Sequence, residues 1–467
     1  MTNAPAVGAG AVRVGRPSNR ADDRRAPWSA LAIACLLISV ITCLTAAPAS
    51  AAAPASAATP TATAAPNSLS LTATYKVTAR IYWARGAILV TSTAAVTNIT
   101  ALPVHQLTFN LVTLVAGGAK VLGVSAGKTR AKVHPQGQSI VVTLVQPLAP
   151  GSRTYVTIRY RAHVNAIGGS GQPLFGQADN VMTAYRWIPW LSRRQPFAAP
   201  NFGETWVTSV SPKVMVTLVS DAPLIYATSG VPVARGRHSE TFSAENVRDF
   251  NFSASPDYRV RRLDWNNVAV RIYSLTGSAD SLAQYAVNSL KRFSDKIGPY
   301  AYPSLNIAET PISTGMESPA LAWISTNAAP EDLARLVAHE VAHQWFYAVV
   351  GNNQAQQPFA DEALATFLAD DLLGPNRTPL CAADRLDMSV YQYGPRCYPE
   401  VIYVQGALYL ERYRTDVGSR SFWAGLSQYY EAYRFQIGGT RKLLDSLDAA
   451  SGYKSRLHAN RFPSLYP

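Results

Sequence analysis

The residues best placed to do chemistry are two histidines and a glutamate in His339-Glu340-Val341-Ala342-His343. The apolar spacing of residues 333–350 predicts a helix that Gly351 ends. Residues at i and i+4 share one face of a helix, so both imidazoles can reach one metal ion. Glu340 points about 100° away around the helix, where it can take a proton from a metal-bound water. The segment therefore predicts a metal-dependent hydrolytic site.

A second segment supplies a candidate third ligand. Eighteen residues separate His343 from Glu362, and the segment 359–367 around Glu362 is also predicted to be helical. Two antiparallel helices with a short connection would present Glu362 to the histidines and complete the His₂Glu set of one catalytic zinc ion. The neighbouring Asp361 either orients an imidazole from behind or is simply an acid at the start of a helix.

On these residues the sequence resembles the zinc aminopeptidases of the aminopeptidase N type, a gluzincin family marked by HExxH, eighteen residues and a glutamate. His339, Glu340, His343 and Glu362 match that pattern position for position. The resemblance covers roughly residues 70–430. It implies a zinc metallopeptidase that removes N-terminal residues from peptide or protein substrates, with Glu340 as general base. The N-terminal export pattern described below predicts that this enzyme is secreted.

Two further segments extend the resemblance. Gly315-Met316-Glu317-Ser318-Pro319 resembles the family's G-x-M-E-N motif. The match implies that Glu317 binds the free α-amino group of the substrate and that Gly315 and Met316 line the peptide groove. Tyr403-Val404-Gln405-Gly406 resembles the family's Tyr-x-Lys-Gly, which implies that Tyr403 stabilises the oxyanion. Tyr398 and Tyr409 lie close enough in sequence to compete for that role.

Three positions depart from the family pattern. Ser318 stands for the usual Asn, Gln405 for the usual Lys and Asp361 for the common Asn. These departures leave an endopeptidase of the same zinc class open as an alternative to an aminopeptidase. A non-catalytic zinc-binding scaffold is a third reading, against which the intact Glu340 argues. The chain also ends at Pro467, before the large C-terminal helical domain of the long family members, and this short form predicts an open cleft.

Composition narrows the class of protein. Of the 467 residues 48% are hydrophobic, which excludes a wholly disordered chain, and four cysteines exclude a Cys-rich disulfide scaffold. The formal net charge of +13 comes mostly from scattered arginines without a recognition motif, so no nucleic-acid partner is expected. No oligomeric state is predicted from the sequence.

The N-terminus has the pattern of an export signal. Arg24 and Arg25 precede an apolar run over residues 28–44, and Ala49-Ser50-Ala51 offers a small-residue cleavage site. Residues 1–51 are therefore predicted to be a signal peptide, followed by an Ala/Pro/Ser/Thr linker over residues 52–67. An uncleaved apolar run would instead anchor the protein on the outer face of a membrane.

The remainder divides into two predicted domains of an α+β protein. Apolar and polar residues alternate over residues 75–82, 139–144, 154–160 and 213–219, which predicts an N-terminal antiparallel sheet or sandwich over residues 68–264. A helix at 281–297 opens a mainly helical, thermolysin-like catalytic domain over residues 265–467. Cys381 and Cys397 are the two cysteines left after export and are predicted to form a disulfide, the alternative being two unconnected buried thiols.

Overall fold

The computed structural model describes residues 67–166, 175–192, 207–375, 379, 381–393, 397–453 and 456–466. The predicted signal peptide, its apolar run and residues 52–66 of the linker lie outside the described residues. Among the helices that are described, none is both long and apolar enough to cross a membrane.

The N-terminal region is built from three β-sheets. The largest has eight strands in the order β15-β16-β13-β1-β2-β8-β4-β5, the second has the order β14-β17-β11-β10-β9, and the third has the order β12-β3-β7-β6. The strands are β1 (Thr72–Tyr82), β2 (Ala87–Thr97), β3 (Val104–Asn110), β4 (Lys120–Ala126), β5 (Thr129–Arg130), β6 (Val133–Gln136), β7 (Ser139–Leu148), β8 (Arg153–His163), β9 (Asn165–Ala166), β10 (Phe175–Ala178), β11 (Val181–Ala184), β12 (Trp190–Leu191), β13 (Ser211–Ser220), β14 (Ile225–Thr228), β15 (Val231–Arg235), β16 (Ser239–Val247) and β17 (Phe252–Ser255).

Alternation along the strands explains why these sheets form. In β1 and β2 every second residue is buried, and both strands are rich in β-branched side chains that suit a pleated surface. The four strands predicted from alternation are confirmed as parts of β1, β7, β8 and β13. Most pairs are antiparallel, as predicted, whereas β1 pairs in parallel with β13 and β9 with β10.

A fourth sheet belongs to the C-terminal region and carries part of the site. Its five strands have the order β18-β19-β20-β22-β21. They are β18 (Arg259–Trp265), β19 (Val268–Ser274), β20 (Ser304–Thr310), β21 (Gly315–Ser318) and β22 (Leu321–Ser325). The β18–β19 hairpin spans the predicted domain boundary at 264/265, and that boundary stays a prediction.

The described helices are α1 (Thr113–Ala116), α2 (Ala279–Lys296), α3 (Leu333–Ala342), α4 (Glu362–Leu373), α5 (Cys397–Pro399), α6 (Gly406–Val417), α7 (Ser419–Ala432), α8 (Thr440–Ser451) and α9 (Arg456–Arg461). The short α1 lies in the N-terminal region, α2 connects β19 to β20 of the fourth sheet, and the other described helices follow that sheet in the sequence. Short 3₁₀ turns occupy Ser68–Ser70, Trp83–Arg85 and Pro358–Ala360, and a π-helix occupies Glu400–Gln405. The predicted α+β class is confirmed.

One helix is shorter than predicted. The apolar spacing predicts a helix over residues 333–350, but α3 ends at Ala342 and turns follow as far as Val350. Tyr347 has a φ of 134°, which no helix accommodates. The guanidinium group of Arg248 binds the carbonyl oxygens of Ala348 and Val349, so a contact from the N-terminal region takes acceptors that a helix would use.

Candidate metal centre

Two packed helices bring the three predicted ligands together. His339 and His343 lie one turn apart at the end of α3, and Glu362 is the first residue of α4. His339 Nε2 lies 3.1 Å from Glu362 Oε2 and 3.2 Å from His343 Nε2, and His343 Nε2 lies 3.5 Å from Glu362 Oε2. All three donor atoms therefore face one point.

The chemistry of this donor set fits a zinc ion. Ligand atoms about 2.0 to 2.1 Å from a tetrahedral ion are about 3.3 to 3.4 Å apart, which matches the three spacings. His343 Nδ1 lies 2.7 Å from Asp361 Oδ1 and 3.2 Å from the carbonyl oxygen of Phe346, two acceptors that place the proton on Nδ1. The lone pair of His343 Nε2 is then directed at the shared point. Burial opposes ionisation of Glu362, but the positive charge of doubly protonated His343 and a hydrogen bond with His339 hold the pKa of Glu362 well below the ordinary value, so Glu362 is anionic. A metal ion that binds here would displace the Nε2 proton of His343 and leave the neutral, Nδ1-protonated imidazole as ligand.

Asp361 lies fully buried behind His343. It also directly precedes α4, but its side chain makes no capping hydrogen bond there. The structure therefore shows the contact with His343 that an orienting role requires, and the role itself stays a prediction. A carboxylate behind a ligating histidine fixes the tautomer and the orientation of the ring.

Glu340 is buried beside the ligands. Its carboxylate lies within 4.8 Å of the ligand atoms of His343 and Glu317, and its Oε2 has no hydrogen-bond partner among the described residues. Burial raises the pKa of Glu340 well above the ordinary value, and the negative charge of Glu317 raises it further. Because its Oε2 has no hydrogen-bond partner among the described residues and its pKa is raised, the Glu340 carboxylate is suited to accept a proton from a reacting water.

Gly315 makes room for Glu340. A Cβ atom at position 315 would overlap the Glu340 carboxylate, so the first residue of β21 must lack a side chain. Next to it, Met316 is 4% exposed and packs with Trp323 in a small core cluster. Gly315 and Met316 can therefore offer a peptide groove their backbone, as the resemblance implies, and their part in binding a substrate stays a prediction.

Glu317 lies on the same strand and is almost fully buried. Its Oε1 accepts a hydrogen bond of 2.9 Å from Gln354 Nε2 and lies 3.5 Å from the Tyr185 hydroxyl. Burial, and with it the nearby charges of Glu362 and Asp361, raise the pKa of Glu317 to about 7. A buried carboxylate of this kind is suited to pair with a cationic group that enters the cleft.

Ser318, which stands where the resembling family usually has Asn, is held by two hydrogen bonds. Ser318 Oγ accepts a hydrogen bond of 2.7 Å from Asn251 Nδ2, and its carbonyl oxygen accepts one of 2.9 Å from Gln344 Nε2. The residue is 1% exposed and ties β21 to the N-terminal region. Ser318 therefore supports the strand that carries Glu317 and is engaged away from the cleft.

Tyr403 is the tyrosine that reaches the ligands. Its ring stacks on that of His339, with the centroids 5.5 Å apart and the planes at 15°. Tyr398 is buried and packs edge-on against Tyr403, while the Tyr409 hydroxyl bonds to His458. The sulfur atoms of Cys381 and Cys397 form the predicted disulfide, with 5.9 Å between their Cα atoms.

Sequence reasoning missed three residues that support Glu317. Gln354 bonds to Glu317 and accepts a hydrogen bond of 2.6 Å from the buried Arg186. Tyr185 and Asn251 come from the N-terminal region and reach β21 through the contacts given above. None of these residues lies in the motifs given above. Asn251 directly follows Arg248-Asp249-Phe250, and Tyr185 lies two residues before Trp187-Ile188-Pro189-Trp190, two segments that also resemble the family. The contacts of the three residues with β21 and Glu317, however, are visible only in the structure.

Comparison with known proteins gives two kinds of match. No family profile matches the chain. The chain is 23% identical over 393 residues to endoplasmic reticulum aminopeptidase 1 of Mus musculus, an alignment that covers 73% of this chain and 41% of that protein. The chain thus spans about two fifths of the length of that relative.

The structural matches extend over both regions. An M1 zinc metallopeptidase mutant from Deinococcus radiodurans superposes with a TM-score of 0.68 at 17% identity, covering 84% of this chain and 94% of that one. The same enzyme bound to a Tyr-Ser-Ala substrate gives a TM-score of 0.65 at 16% identity, with the same coverage. A two-domain M1 zinc metallopeptidase bound to L-arginine gives 0.63 at 18%, covering 82% and 91%. The fold is therefore shared along most of the described chain.

Proposed function

We propose that this chain, which has the fold of the M1 zinc metallopeptidases and resembles the aminopeptidase N type in sequence, is a zinc-dependent aminopeptidase. One observation carries the proposal. The buried Glu317 carboxylate lies within 4.8 Å of the ligand atom of His343. An α-amino group paired with Glu317 would therefore place the first peptide carbonyl of the substrate at the metal centre.

The residues divide the reaction among them. A zinc ion held by His339, His343 and Glu362 would polarise the scissile carbonyl and lower the pKa of a bound water. Glu340 takes the proton from the attacking water and delivers it to the leaving amine. The Tyr403 hydroxyl donates a hydrogen bond to the oxyanion that develops on the carbonyl, a contact of the kind worth about 3 to 4 kcal/mol in the transition state.

Glu317 selects the substrate end. Its carboxylate is desolvated, and an ammonium group satisfies it by a charge-assisted hydrogen bond. An internal peptide segment carries no such cation, so its binding would leave the Glu317 carboxylate buried and uncompensated. This difference favours removal of N-terminal residues over internal cleavage.

An endopeptidase of the same class is the second candidate, because Ser318 and Gln405 depart from the family pattern. Ser318 is bonded to Asn251 rather than facing a substrate, which weakens that argument. A peptide library with free N-termini and a matched N-acetylated library separate the two candidates. Stepwise loss of N-terminal residues from the free peptides alone, abolished by a chelator, supports the proposal. Internal cleavage of acetylated peptides supports the alternative.

We also propose that the chain acts outside the cytosol, with residues 1–51 as a cleaved signal peptide. The Cys381–Cys397 disulfide supports an oxidising compartment. Mass spectrometry of the mature N-terminus tests this proposal. A mature chain that begins near residue 52 supports it, and an intact N-terminus in the membrane fraction supports anchoring by residues 28–44 instead.

A further inference from the structure

Tyr403 lies in an unusual stretch of helix. The short helix α5 (Cys397–Pro399) passes into the π-helix Glu400–Gln405, which passes into α6 at Gly406. π-Helical turns are rare and occur frequently at functional sites. The position of Tyr403 above His339 depends on this wide turn, so the contacts that fix its two ends fix the tyrosine.

The C-terminal end of the π-turn is fixed by close packing. A Cβ atom at Gly406 would lie 2.6 Å from the Cβ atom of Ala363, so the start of α6 rests directly on α4. Ala363 follows the ligand Glu362. This end of the turn is thereby tied to the same helix as the metal site.

Cys381 fixes the N-terminal end of the π-turn through a covalent bond and a hydrogen bond, and it also binds the last residue of the turn. Cys397, six residues before Tyr403, is bonded to Cys381. The Cys381 amide donates to Glu400 Oε2 at 2.9 Å, and Gln405 Nε2 donates to the Cys381 carbonyl oxygen at 2.6 Å. Cys381 therefore contacts residues on both sides of Tyr403 within one turn of the helix.

Gln405 adds a third connection. Its Oε1 accepts a hydrogen bond of 3.1 Å from Arg461 Nη2, while its Nε2 donates to Cys381. A glutamine can donate and accept at once, whereas the lysine that the resembling family carries at this position only donates. Gln405 thus donates to Cys381 and accepts from Arg461, and a lysine at this position could make only the first of these hydrogen bonds.

From these contacts we infer that the Cys381–Cys397 disulfide and Gln405 are positioning groups for Tyr403. They hold the π-turn so that the phenol stays above His339, and they touch no reacting atom themselves. The inference rests on the proposed role of Tyr403 as oxyanion donor. An oxyanion donor must be held to within a fraction of an ångström, because small displacements lower the rate steeply.

A double-mutant cycle tests the inference on the full chain, produced under oxidising conditions that form the disulfide. The bridge is removed in Cys381→Ser/Cys397→Ser, and the amide contacts are removed in Gln405→Leu with the bridge intact. Each change is made alone and together with Tyr403→Phe. Arg412→Ala, on the exposed side of α6, is the matched control. For every variant kcat, KM and zinc content are measured with a free-amine peptide.

We expect each change alone to lower kcat about tenfold, with KM and zinc content unchanged, because the phenol is displaced rather than lost. In the Tyr403→Phe background the same changes have no further effect on kcat. An equal fold-loss in both backgrounds would show that bridge and amide serve overall stability only, and no loss in either would show that they are irrelevant. Both results overturn the inference.

Hydrogen exchange separates this inference from the role of Tyr403 itself. If Tyr403→Phe alone retains the kcat of the unmodified chain, the oxyanion role of Tyr403 is wrong. The hydrogen-exchange rates of the backbone amides of residues 398–406 in the bridge and Gln405 variants then test the positioning role by themselves. Exchange there at least about tenfold faster than in Arg412→Ala, with α2 unchanged, supports positioning by the bridge and Gln405. Unchanged exchange in residues 398–406 overturns it.

Discussion

The carboxylate of Glu340 occupies the space that a side chain at Gly315 would fill. Gly315→Ala should displace Glu340 while leaving the three ligands in place. We expect kcat to fall about 100-fold, because a displacement of about 1 Å misaligns the proton transfer. The measurement is kcat together with zinc content.

Gly123→Ala is the control for that substitution. Gly123 lies in β4 with a negative φ and open space around its missing Cβ, so alanine is tolerated there. A Gly315→Ala enzyme as active as Gly123→Ala would show that Glu340 is not confined as described.

Gln354 is expected to matter for substrates with a free N-terminus. Gln354→Leu removes the hydrogen bond to Glu317, which leaves the amine-binding carboxylate less well oriented. KM for a free-amine dipeptide amide should rise about tenfold, and zinc content should not change. The exposed Gln356→Leu is the control, and a matching rise of KM in both variants argues against the assignment.

Asp361 is expected to act on the metal through His343. Asp361→Ala removes the acceptor of the His343 Nδ1 proton and should weaken zinc binding about 10- to 100-fold in chelator competition. Asp361→Asn keeps an acceptor oxygen and should weaken zinc binding less. Equal zinc affinity in all three proteins would leave Asp361 without a role at the metal centre.

Glu309, which is not one of the predicted metal ligands, is expected to make the free energy of unfolding depend on pH. It is buried, which raises its pKa, but hydrogen bonds from Ser278, Thr276 and the Leu275 amide outweigh burial and lower it. A pKa lowered on folding stabilises the fold above the unfolded value, about 4.3, and that contribution is lost as the pH falls through the folded value. Glu309→Gln should therefore reduce the free energy of unfolding at pH 7 and flatten its decline below about pH 4.3.

Urea unfolding between pH 3 and 7 measures this effect. Glu331→Gln, which removes an exposed carboxyl in the approach to α3, is the control. An acid decline in Glu309→Gln as steep as in the control would mean that the carboxylate does not stabilise the loop after β19.

Local spacing made much of the site predictable from the sequence. His339 and His343 share a helix face whatever the rest of the chain does, and Glu362 starts the helix that packs beside them. The strands of the N-terminal region were equally accessible, since one buried face imposes alternation of period two. The disulfide was predictable from the predicted export signal and from the two cysteines that lie after it.

Features that depend on contacts between residues far apart in the sequence could not be predicted in this way. The early end of α3 depends on Arg248, about 100 residues away in sequence, and the support of Glu317 depends on Tyr185 and Asn251 from the N-terminal region. The parallel pairing of β1 with β13 joins strands that no local pattern relates. Each of these features is a tertiary contact, which a local pattern of apolar residues does not encode.

The central claim is that Glu340 performs the proton transfers at a His₂Glu zinc centre. Glu340→Gln has nearly the same shape and leaves His339, His343 and Glu362 untouched. The most direct test is zinc content and kcat on a free-amine peptide, measured on the same preparation. The account predicts one zinc ion per chain and a kcat lowered at least about 1000-fold. Turnover within about tenfold of the unmodified chain at full zinc occupancy would contradict it.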